Sequence, residues 1–107
     1  MPFNFVISDD TPQHTNVRLF LDAYDFVRQR LDRKNEYPLM TKFLKDCHGD
    51  EQQVRVRQLP ALDKEVAGFI TSFQEDFPHY VRDFFDEFTQ LIGFAIKENK
   101  EISVIPG

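Results

Sequence analysis

The stretch FPHYVRDFFDEFTQLIGFAIKEN, Phe77 to Asn99, decides how this chain folds. Phe77, Val81, Phe84, Phe85, Phe88, Leu91, Ile92, Ala95 and Ile96 recur at intervals of three and four. At about 3.6 residues per turn that spacing puts them on one broad helical face. A face this wide predicts the central helix of a core, with Asp76 as its cap and Lys97 and Lys100 suited to its C-terminus. Upstream, Pro60 opens another helix, whose Leu62, Val66, Phe69, Ile70 and Phe73 make a narrower stripe. The break at Asp76, Phe77 and Pro78 separates the two.

Working outward, Gln53 to Leu59 alternates Val54 and Val56 with Arg55 and Arg57, which predicts a strand with one wet face. Before it, Pro38 opens a short helix with Leu39, Met40, Phe43, Leu44 and Cys47 inward and Gly49 as its stop. Earlier still, Pro12 to about Arg33 reads as one helix. Its main stripe is Val17, Phe20, Leu21, Tyr24, Val27 and Leu31. Leu19, Ala23 and Phe26 project from the other side, so this helix is either sandwiched in the domain or meets a partner. The termini supply two more strands, the alternating Phe3 to Ile7 and the short run Ile102, Val104, Ile105. These two are placed to pair. The expected fold is therefore α+β: four helices packed on a small three-stranded sheet, in the order β-αα-β-αα-β, forming one domain over residues 1–107.

Composition narrows the function classes. A chain of 107 residues buries enough surface to fold without a metal or disulfides, and its single Cys47 has no internal disulfide partner. The N-terminus has no basic segment followed by an apolar run, so no signal peptide is read there. The longest unbroken apolar or glycine run, Leu91 to Ile96, is far short of the roughly twenty residues that span a bilayer. A cytoplasmic protein without membrane contact is expected. The net charge of −5 argues against nucleic acid, whose binders neutralise phosphates with a basic stripe. Arg28, Arg30, Arg33 and Lys34 gather only where a helix C-terminus favours cations.

Catalytic patterns are sparse. Asp9 and Asp10 end the first strand, where an acid pair can hold a divalent metal, with His14 nearby. A strand, an acid pair and a helix resemble the opening of response-regulator receiver domains. The resemblance stops there, because the later strand QVRVRQLPAL carries no acid at its end. Helix capping by Asp10 or Thr11 accounts for the same letters. His14, His48 and His79 have no i, i+4 partner, Cys47 belongs to no C-x-x-C, and the glycines are isolated. No cofactor, metal site or catalytic residue is assigned.

Phenylalanine is in excess, with twelve Phe, three Tyr and no Trp. Helical spacing assigns most of these to a core. Asp83, Asp86 and Glu87 lie together on the polar side of the last helix, and such a face suits a basic protein. The expected function is a small acidic protein-binding module of the inhibitor, immunity, antitoxin or chaperone kind, leaning away from an enzyme. Its partner-binding residues would be Leu19, Phe26, Asp83, Asp86 and Glu87. The alternatives are a self-associating structural subunit using Leu19 and Phe26, and a small metal-dependent enzyme using Asp9 and Asp10.

Overall fold

The computed structural model describes residues 3–7, 17–33, 36–45 and 51–106. The expected Asp9–Asp10 pair, His14, Cys47, His48 and Gly49 lie outside them. The fold is α+β, as expected, with four helices on an antiparallel sheet. The strands are β1 (Phe3–Ile7), β2 (Val17–Leu19), β3 (Gln52–Val54) and β4 (Ile102–Pro106). The helices are α1 (Leu21–Arg33), α2 (Pro38–Met40), α3 (Leu59–Phe73) and α4 (His79–Glu98). A π-helical turn, Thr41–Lys45, continues α2.

The sheet has four strands rather than three, in the order β2-β1-β4-β3. The terminal strands pair as its two inner members, Phe5 opposite Val104 and Ile7 opposite Ile102. The extra strand comes from the segment expected to be the start of the first helix. Val17 and Leu19 pair with Phe5 and Phe3, and α1 begins only at Leu21. Three residues cannot separate a period of two from one of 3.6, and the β-branched Val17 is suited to a pleat. Pairing extends the apolar face of Phe3 and Phe5 by two buried side chains. The inner stripe of α1 is consequently Ala23, Val27 and Leu31.

The expected strand from Gln53 to Leu59 is also shorter. It ends at Val54, and Val56–Gln58 form a 3-10 turn. The Gln58 side-chain carbonyl accepts from the Arg55 amide at 2.9 Å, and the Gln58 amide donates to the Arg55 carbonyl at 2.8 Å, closing the turn. Helix α3 then starts with Leu59, with Pro60 in its first turn, where a missing N–H costs nothing.

Inward-facing Phe5 meets α4 through Phe88, ring centroids 4.8 Å apart, and Phe84, at 6.0 Å. Phe85, the neighbour of Phe84, reaches Phe69 of α3 at 5.5 Å and stacks on Phe77 at 5.4 Å. These rings join sheet and helices in one core cluster, so α4 is central, as its broad face predicts. Asp76, the expected cap of α4, sits instead in a 3-10 turn, and the N-terminal position falls to Pro78. The Pro78 carbonyl accepts from the Val81 and Arg82 amides. Ile96 leaves the inner stripe and is 39% exposed, whereas Ile92 and Ala95 are fully buried. No helix of the described residues is long and apolar enough to cross a membrane.

Candidate partner-binding groove

The shortening of α1 at its N-terminus creates a surface that a continuous helix would not have. Phe20, assigned to the inner stripe from sequence, is instead the joint between β2 and α1. Its carbonyl accepts from the Tyr24 amide at 2.8 Å, which starts the helix. Its ring stands 57% exposed beside a hollow of about 400 Å³. The α4 wall of that hollow carries Tyr80, Asp83, Phe84 and Glu87, and the α1 wall carries Asp22 and Ala23. Arg18 of β2 also lines it. Ala23 and Phe84 are buried and form the floor, whereas Tyr80 is 42% exposed.

A second hollow of about 310 Å³ is lined by Asp22, Asp25, Phe26, Gln29 and Tyr80. Asp22 and Tyr80 belong to both hollows, so together they make one groove between α1 and α4. Among the described residues that line it are four carboxylates, Asp22, Asp25, Asp83 and Glu87, against one guanidinium, Arg18. The Arg18 Nε donates to Asn4 Oδ1 at 3.1 Å. Asp25 lies 3.9 Å from Arg28, an exposed contact worth little. Among the described residues Asp22, Asp83 and Glu87 have no ion-pair partner. Asp22 has a structural role as well, since an acid in the first turn opposes the positive end of the α1 dipole. Asp83 and Glu87 have no such role. Like charges at i, i+4 weaken a helix, so this pair is placed against local stability.

Of the residues expected to bind a partner, Asp83 and Glu87 line the groove and Phe26 lines its second part. Asp86 is exposed on α4 but outside the lining. Leu19 has no exposed area and belongs to the sheet core, because β2 turns it inward with Val17. Phe26 is half-committed to internal packing: it meets Phe77 edge-on at 5.5 Å, and the Arg30 guanidinium lies 3.8 Å from its ring centre. Sequence reasoning missed Phe20, Asp22, Asp25 and Tyr80. Tyr80 had a visible signal, an aromatic residue off the apolar stripe of an amphipathic helix. Phe20 had none, because its position follows from where the strand ends.

Among the described residues no group of three or more His, Cys, Asp or Glu could hold a metal ion. The four groove carboxylates line a rim and do not converge. His79, expected on the polar side of α4, is exposed and meets the Tyr80 ring edge-on at 5.8 Å. No family model, curated protein or solved structure matches the chain.

Proposed function

We propose that this protein is a non-enzymatic binding module of the cytoplasm, which holds a basic segment of another protein in the α1–α4 groove. The observation that carries the reading is the pairing of exposed rings, Phe20 and Tyr80, in one concave surface with Asp22, Asp83 and Glu87, which have no ion-pair partner among the described residues. Exposed apolar area inside a charged rim is the usual composition of a protein-binding patch. The charge sets the partner's sign, and complementarity of that kind speeds encounter and excludes acidic proteins. Inhibitors, immunity proteins, antitoxins and chaperones are the classes that use such a surface without catalysis. The net charge of −5 likewise supports a protein partner over nucleic acid.

The test is capture of partners from host extract at low and high salt, read by native mass spectrometry. A stoichiometric basic protein, released by salt and lost with the Asp83→Lys, Glu87→Lys double variant, is expected. Both side chains are exposed, so the variant should keep its fold. A homodimer that survives the double change, or a lone monomer under all conditions, would overturn the reading.

A further inference from the structure

The larger hollow of the groove has a lining more specific than its charge. Its lining combines two exposed rings, Phe20 and Tyr80, over the buried Phe84, with three carboxylates, Asp22, Asp83 and Glu87. Aromatic faces attract cations through the ring quadrupole, and carboxylates attract them directly. Either set alone is common on a protein surface. The two sets around one concave space of about 400 Å³ fit a cation carried on an apolar stem. Buried Ala23 and Phe84 at the floor give the stem a dry surface, and the carboxylates stand at the rim where a charged head would lie.

We propose that this hollow is the receptor site for one arginine side chain of the partner segment. Arginine fits better than lysine for two reasons. Its guanidinium is planar and weakly hydrated, so it stacks on a ring while losing little solvation. Its forked donors also reach two carboxylates at once, which a point-like ammonium does not match. The protein already uses the same chemistry internally, with Arg30 lying 3.8 Å from the ring centre of Phe26 on the neighbouring turn of α1. Among the described lining residues Arg18 is the one cation, and its Nε already donates to Asn4 Oδ1. The inference rests on the groove being a binding surface and names the contact within it.

The experiment uses three capped tripeptides, with arginine, lysine or norleucine between glycines, titrated into the full chain. Aromatic carbon–proton NMR reads the rings of Phe20, Tyr80 and Phe84. The arginine peptide is expected to shift these three saturably, and the lysine peptide to bind at least threefold more weakly. Norleucine should leave them unmoved. Tyr80→Leu keeps the apolar bulk and every charge, and should weaken arginine binding about fivefold, the scale of one exposed cation–π contact. Lysine equal to arginine, norleucine equal to both, or an unchanged affinity in Tyr80→Leu would each overturn the assignment. Its failure is separable from that of the proposed function. A partner lost with the Asp83→Lys, Glu87→Lys variant but untouched by Tyr80→Leu removes the arginine site and leaves the module. Saturable arginine binding with no partner captured does the reverse.

Discussion

Two residues hold their surroundings together by means that spacing alone does not reveal. Glu65 of α3 reaches across to the start of α2, where its carboxylate accepts from the Leu39 amide at 2.9 Å and the Met40 amide at 3.0 Å. The Pro38–Met40 turn has no cap from its own segment, so these amides are satisfied from another helix. Glu65→Ala should cost about 1–3 kcal/mol, the range for part-buried donors left unsatisfied. Glu65→Gln keeps an acceptor oxygen and should cost clearly less. Urea denaturation of the two variants checks this, and equal losses would mean that the contribution needs the charge or the second oxygen of the carboxylate, since Gln retains its packing and one acceptor. Asn99 ends α4 in the left-handed region, at φ 57° and ψ 48°. From there its amide and that of Lys100 reach back to the last carbonyls of the helix. Asparagine tolerates this conformation and a β-branched residue does not. Asn99→Val should therefore lose about 1–2 kcal/mol, and Asn99→Gly should lose nothing. Thermal unfolding of both variants tests the order.

At the scale of elements, the long helices and the two terminal strands were legible, whereas β2 and the turn after β3 were not. Helices α3 and α4 carry three or more turns of apolar spacing, and their inner residues, from Leu62 to Phe69 and from Val81 to Ala95, are buried as read. β2 and the turn after β3 are three residues each, too short for a period to declare itself. Tertiary pairing decided them. Leu19 makes the difference measurable. On a partner-facing helix stripe its truncation would barely change the stability of the monomer. In β2, Leu19→Ala removes a fully buried side chain and should cost about 2–5 kcal/mol. Arg18→Ala, on the exposed face of the same strand, should stay within about 0.5 kcal/mol. The candidate site was half legible for the same reason. Asp83 and Glu87 stood out on a long helix, whereas Phe20 and Asp22 enter the groove only because β2 ends at Leu19. On α4 the acids also set stability against function. Glu87→Gln relieves a like-charge pair and should raise Tm by about one or two degrees at low salt. The same change should weaken capture of a basic partner.

At the scale of the whole molecule, the sheet is closed by its first and last strands. β1 and β4 are the inner strands of the sheet, and their pairing aligns Phe3 with Pro106, so the central ladder joins residues nearly a chain length apart. The loop-closure entropy of such a contact grows only slowly with length, but it must be met before the sheet can form. β3 depends on this step as well, because β4 is the strand it pairs with. Among the described strands only β2 is left to pair with β1 in its absence, and a two-stranded ribbon is marginal in water. The helices do not replace the sheet, since Phe84 and Phe88 need Phe5 beneath them. A chain ending at Lys100 should therefore retain helical circular dichroism yet lose its cooperative thermal transition. Adding a peptide of residues 101–107 in excess should restore that transition by supplying the missing strand. A truncated chain that melts sharply on its own would place the stability in the helices, with the sheet as a secondary cover.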